Sequence, residues 1–567
     1  MSRFHFNLEA LPEEAAHASV VLTFFLMVLS VLHWIKIPIL HLHSGFVQQT
    51  IFSVTVPLFI TIFNVGLNIL ILLYFRKYFY LFSSIIICIF TLFFLGYIPV
   101  IIVSSFLFIY CMYSNSLDQK ILIFYGFLLL FLIEFFSLFN WIIFVPLGLS
   151  SIFYNIAVME EQIYYLFSLF SPLLVFLFLF GWIPKRIINW SNKDNLFNKK
   201  KHHKNINHLS LFGSRFFFVL ALLLSILVPI YPYFSTINPA RQVVSPDLME
   251  RARVVDAIES DWTSIFREMS GSRPAYLMVV FILQSIFHLK SVSFISYSPI
   301  LLFILLVFSM YYFVKQSLGN NDLAALSSFL LSSGANFLLG IYLYPLSNLL
   351  GLALVFFSLG LLFSSLKREA TWTGYFSIAL FFMVLFVHPW TFFQYCIVVI
   401  SFLFIKLKEN SYSDYYRFLI KFFVSGLVIT LPVFFLLSTD SIQPYLNMGT
   451  LSLFIDTFKA VNFVYAGALS NVVPWLLSVY YLSGQGDERD VSKFLRLLVF
   501  LTSILFLFLN PFDKSRVIIN LPLGYFAALG LSKFNSKVDS KNGLIFVLFL
   551  LFQSLVFVFR TLYFFVG

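Results

Sequence analysis

Long apolar runs separated by short polar loops dominate this chain. A hydrocarbon core of about 30 Å needs roughly 20 residues of helix. Runs of about that size lie at Ser19–His41, Ile51–Tyr74, Tyr80–Leu95, Tyr97–Tyr113, Ile121–Leu147 and Gln162–Ile183. They predict six N-terminal spans. The stretch that follows, from Lys185 to Arg215, sets KKKHHK and further Lys and Arg residues against the single acid Asp194, so the positive-inside rule puts it in the cytoplasm. A solvated topology signal explains it without any chemistry.

The span Phe216–Tyr233 then leads outward, into an outer loop covering residues 235–274. In that loop Leu248, Ala252, Val255, Ile258, Trp262, Ile265 and Met269 recur every three or four residues, the apolar stripe of an amphipathic helix. Ser245-Pro246 with Asp247 reads as its start. The expectation is a helix lying on the outer membrane surface.

Further apolar runs lie at about Ala275–His288, Ile300–Val314, Leu323–Tyr344, Leu349–Phe363, Tyr375–Val387, Trp390–Ile405, Phe422–Leu437, Val461–Tyr481, Phe494–Leu509, Val517–Leu531 and Leu544–Phe565. Counting crossings forward from the outer loop and backward from the late basic loops gives answers for LKREATW that differ by one. A re-entrant or broken stretch is therefore required, and SSGANFLLGIYLYPLSN, with its Gly and Pro, is the expected place. The break is predicted near Gly340 to Pro345. The fold class that follows is an all-α polytopic membrane protein of about 15–17 transmembrane or re-entrant helices with an outer-face interfacial helix. Its organisation reads as a six-span module (1–183), a basic cytoplasmic loop (184–215) and a second membrane domain (216–567).

Composition agrees. Of 567 residues 60% are hydrophobic and only 11% charged, against roughly a quarter charged in soluble chains, and the mean hydropathy is +0.94. Collagenous, disordered, disulfide-scaffold and DNA-binding classes are excluded. The net charge of +11 reads as loops facing anionic lipid, with no nucleic acid implied. Cys88, Cys111 and Cys396 sit inside apolar runs without ligand spacing and read as small buried hydrophobes. The acidic N-terminus MSRFHFNLEALPEEAAH lacks a basic leader, so the first run is expected to be retained as a span.

Few polar positions stand out. Arg516, in NPFDKSR, is placed to grip a phosphate at the headgroup plane with its bidentate fork; the bland alternative is snorkelling. Asp247 is a candidate acid or a plain helix cap, and His388, in VHPWT, a candidate ligand or a satisfied interfacial histidine. Glu134 and Glu160-Glu161 are costly placements within or beside spans. The HLH at His41–His43 has no third ligand nearby and is a weak metal signal.

The order of these features resembles the glycosyltransferase-C superfamily, polytopic enzymes that use polyprenyl-phosphate-linked sugars. An outward span is followed by SPDLMERARVVDAI, SRPAYLMVVF, GIYLYPLSNLLGLALVFF, FVHPWT and SRVIINLPLGYFAALGL. The likeness covers roughly residues 216–567. It implies that Asp247 acts as general base toward the acceptor hydroxyl, or as ligand to a divalent cation (Mg or Mn), the one cofactor it allows. It further implies that Arg516 holds the lipid phosphate and that Arg273, Tyr344, Asn348 and His388 bind substrate. The chain departs from the pattern in lacking an Asp-Glu or Asp-x-Asp pair after Phe216–Tyr233, so Asp256 and Asp261 remain alternates to Asp247.

The implied partners are a polyprenyl-phosphate-linked sugar, the bilayer, and a glycan, lipid or protein acceptor. The implied location is the plasma membrane, with the active site on its outer face. A carboxylate would take the acceptor's proton while cations stabilise charge on the departing phosphate. A lipid or small-molecule transporter or flippase is the competing class, since it accounts equally well for many spans, a broken helix and a buried Glu.

Overall fold

This computed structural model describes residues 128, 130–132, 134–149, 171–183, 214–239, 244, 247–268, 273–342, 346–409, 413–437, 471–483, 489–509, 511–535 and 540–566. The first four predicted spans, the basic KKKHHK loop, His41–His43, Glu160-Glu161 and Tyr344 lie outside the described residues. Every described element is helical. The protein is an all-α, multi-pass membrane protein: among the described residues seven helices are long and apolar enough to span, eight if one bent pair counts as a single span.

The chain divides into two compact units, Met1–Phe167 with Val538–Val556 and Ser168–Lys537 with Phe557–Gly567. In the first, the helix Leu130–Phe144 ends in the π-helical turn Asn140–Phe144 and packs Phe131 and Phe135 on Phe552. Glu134 is buried on it.

The second unit holds α1 (Ser171–Phe180), α2 (Ser214–Ile230), α3 (Asp247–Ser260), α4 (Pro274–Phe287), α5 (Ser291–Leu318), α6 (Asn321–Ser332), α7 (Ala335–Tyr342) and α8 (Leu346–Arg368). It continues with α9 (Thr371–Val387), α10 (Pro389–Glu409), α11 (Asp414–Leu437), α12 (Val472–Ser483), α13 (Asp490–Phe508), α14 (Pro511–Ile519) and α15 (Leu523–Asn535). The last helix, Ser540–Val566, contributes its C-terminal part. Parallel α5 and α8 form the spine, with Phe313 stacked on Phe356 and Lys367 bonded to the Gln316 carbonyl further along the same direction, and α9 flanks α8 through reciprocal Ser358 and Ser377 hydroxyl–carbonyl bonds.

The amphipathic segment is helical as its periodicity predicts, but its stripe faces protein. Leu248, Ala252, Val255 and Ile258 are buried, with α3 docked on α4 and α5. Two polar ties fix it: Ser291 Oγ donates to Asp256, and Gln284 Nε2 donates to Glu259 Oε2 at 2.8 Å. Trp262, in the following 3-10 turn Trp262–Phe266, stays 61% exposed, as suits an aromatic ring at a membrane interface.

The same ties resolve the crossing count. α4 starts beside α8, where Arg273 Nη1 donates to Ser347 Oγ at 2.8 Å. It finishes beside α3, and α5 starts there too. Both ends of α4 therefore lie at one end of the bundle, and its 14 residues reach only about 21 Å. The predicted span at Ala275–His288 does not cross. α7 ends at Tyr342 and α8 starts at Leu346, and Gly340 stands against Leu349, so the chain turns back across the stretch where a break is expected, residues 343–345 themselves lying outside the described residues. A second one, a 40° bend between α6 and α7, lies at Ser333–Gly334. This bent pair still links the two ends of the bundle once. Its freed Ser333 carbonyl accepts from Asn471 Nδ2 at 2.9 Å, the kind of protein partner a broken helix needs at membrane depth.

One direction also differs from simple alternation. α1 runs parallel to α13, with Phe180 beside Phe506 and Ser503 Oγ bonded to the Leu179 carbonyl. It ends at the α3 end of the bundle. α2 begins at the opposite end, where Phe218 meets Tyr311. The two flanks of the basic loop thus stand at opposite ends, and the interlocking rings of Phe178, Trp475 and Phe526 hold α1 in that direction.

Candidate functional site

At the α3 end of the bundle four basic side chains converge. Arg273 caps the start of α4, Arg251 lies on α3, Arg516 in the last turn of α14, and His388 between α9 and α10. Arg273 feels the guanidinium groups of Arg251 and Arg516, and His388 those of Arg273 and Arg516. Burial first, and then these like charges, push Arg273 down to about 10. Its Nε is sealed from solvent with no hydrogen-bond partner. Several like charges gathered at the edge of an apolar bundle are unfavourable unless an anion joins them.

His388 is buried and pushed well below its ordinary value, by burial and then by Arg273 and Arg516, so it is neutral near pH 7. Its Nδ1 accepts the Thr391 N–H at 3.3 Å, a side-chain cap for α10. Thr391 Oγ1 lies 2.7 Å from Nδ1 and donates to Asn348 Oδ1 at 2.8 Å. A methyl group at Gly351 would stand 3.0 Å from His388 Cβ, so glycine there lets α8 approach the histidine.

Arg516 does not stand ahead of a span at Val517–Leu531. That run is interrupted after Ile519 and resumes at Leu523, because Pro522 removes a backbone donor and restricts the residue before it. Arg516 therefore rides on a separate nine-residue helix. Gln394 and Tyr395 of α10 hold that helix. Gln394 Nε2 donates to the Val517 carbonyl at 2.9 Å and to Thr502 Oγ1 at 3.1 Å, and its Oε1 accepts from Asn520 Nδ2 at 3.0 Å. Tyr395 Oη donates to the Asn520 carbonyl at 2.7 Å.

Of the acids, Asp247 opens α3, where the sequence puts a helix start; its side chain lies outside the described residues. Position 247 is one turn before Arg251 on the same helix face. Asp256 accepts from Ser291, which makes it a tie between α3 and α5. Asp261 caps the turn Trp262–Phe266; the Thr263 hydroxyl and N–H, aided by Arg267, hold this exposed carboxylate below the usual range. Both alternates thus have structural work, Asp256 with Ser291 and Asp261 with Thr263 and Arg267. Among the described residues no three His, Cys, Asp or Glu side chains come together as a metal site.

The structure thus brings together Arg273, His388, Asn348 and Arg516 of the sequence candidates. It adds Arg251, Ser347, Thr391 and Gln394. Helical projection could have found these: Arg251 follows Asp247 by four, and Thr391 and Gln394 follow His388 at intervals of three. No protein-family model matches this chain, and no curated protein sequence matches it.

Proposed function

We propose that this protein is a membrane glycosyltransferase that moves a sugar from a polyprenyl-phosphate-linked donor to a glycan, lipid or protein acceptor on the outer face of the plasma membrane. The carrying observation is the convergence of Arg251, Arg273 and Arg516 beside neutral His388 at one end of the bundle. Guanidinium forks match phosphate oxygens, and a site at the bundle's end lets a prenyl tail remain in lipid while its phosphate is held. Charge gathers on that phosphate as the sugar leaves, which is where preorganised cations accelerate reaction. Asp247, one turn from Arg251, takes the acceptor's proton in this reading.

The test is transfer of labelled sugar from a panel of prenyl-phosphate-linked donors by the reconstituted protein. Arg516→Ala and Asp247→Asn should each lower transfer on the order of a hundredfold without a matching fall in melting temperature. Full transfer by both variants would replace this reading with that of a flippase.

A further inference from the structure

We propose that Gln394 is a positioning residue that sets where Arg516 stands relative to His388. This rests on the reading of Arg516 as a phosphate-binding group. α14 has only nine residues, too few for a helix to hold itself, and a break follows it. Of its last carbonyls, those of Arg516 and Ile518 accept from the Asn520 and Leu521 N–H groups, and α10 supplies the partner for that of Val517. Gln394 uses its whole amide: both donor bonds go to Thr502 on α13 and Val517 on α14, and its one acceptor bond comes from Asn520. Tyr395 adds the bond to the Asn520 carbonyl. Gln394, Tyr395, Thr502, Val517 and Asn520 are all buried, so water cannot substitute for a lost bond.

α10 is also the helix that His388 caps. His388 stands just ahead of α10, and Thr391 and Gln394 follow it within the first two turns, so the start of one helix carries the histidine's partner and the clamp on α14. Gln394 thereby fixes the reach between the Arg516 guanidinium and the His388 ring. A shift in that reach would matter more to a small tetrahedral anion than to the stability of the bundle, because bidentate binding tolerates little displacement.

The experiment is a double-mutant cycle on the purified full-length chain in detergent, with farnesyl phosphate as probe. Dissociation constants, melting temperatures and the bound phosphorus resonance are measured for the parent, Gln394→Met, Arg516→Ala and the double variant. Gln394→Met should weaken binding roughly tenfold and move the phosphorus resonance toward its free position, while the double variant binds no more weakly than Arg516→Ala alone. Binding by Gln394→Met within twofold of the parent, or a double variant in which the two losses add in full, overturns the proposal. If Arg516→Ala binds like the parent, the phosphate reading of Arg516 fails and this proposal with it. If Arg516→Ala weakens binding and Gln394→Met does not, only this proposal fails. Thr502→Val removes one partner of the same amide and replaces Gln394→Met in the cycle if that variant does not fold, with the same outcomes deciding.

Discussion

His388 makes the site's electrostatics testable by pH. Its folded-state value is lowered, so the unfolded chain binds a proton below about pH 6.5 that the folded chain refuses, and stability falls as pH drops through that point. The fall should approach about 1.4 kcal/mol per pH unit until the folded-state value is reached. Melting temperatures between about pH 7 and about pH 5 should decline less steeply in His388→Gln; equal slopes would count against a buried neutral ring. A second charge bears on stability alone. Arg496 is only 8% exposed on α13, and its Nε and Nη2 have no partner. Arg496→Met should raise stability by about 1–3 kcal/mol, read as a higher melting temperature, and a lower one would refute that. Arg516 and His388 were legible in the sequence because each stands against the end of an apolar run with few other polar residues beside it. Arg251 and Gln394 were recoverable only by helical projection, since one is hidden among other charges of the outer loop and the other inside an apolar run.

Glycines set how closely the helices cross. A methyl group at Gly530 on α15 would lie 2.0 Å from the Leu477 carbonyl of α12, so the two backbones pass almost in contact. Gly530→Ala should destabilise by about 1–3 kcal/mol, the usual range for overpacking, and chemical denaturation would show it; an unchanged midpoint would mean that the helices part without strain. Hydropathy found most helices, but it misjudged ends where polar residues serve packing. α5 starts at Ser291 and not near Ile300, because SVSFISYS mixes serine into the first two turns and lowers the apolar average. Those serines include the one that ties α5 to Asp256. α14 was missed for a different reason: its apolar, buried end, Val517 to Ile519, joins the run that continues past Pro522, so one span is read where the structure has two helices.

Across the whole molecule, the plan of spans depends on α4. In a background lacking Cys88, Cys111 and Cys396, cysteines placed at Asp261 and Lys290 should react with an impermeant reagent from one side of the membrane, and one placed at Glu369 from the other. Labelling of positions 261 and 290 from opposite sides would restore the crossing that the apolar run alone suggests. The overall class was plain from the pattern of runs, yet the fault in the count could be traced to α4 only through contacts distant in sequence, between Arg273 and Ser347 and between Gln284 and Glu259. A hairpin that enters and leaves on the same side is silent to the insertion machinery. It turns no later helix around, so α3 and α4 can change in length while every following span keeps its direction.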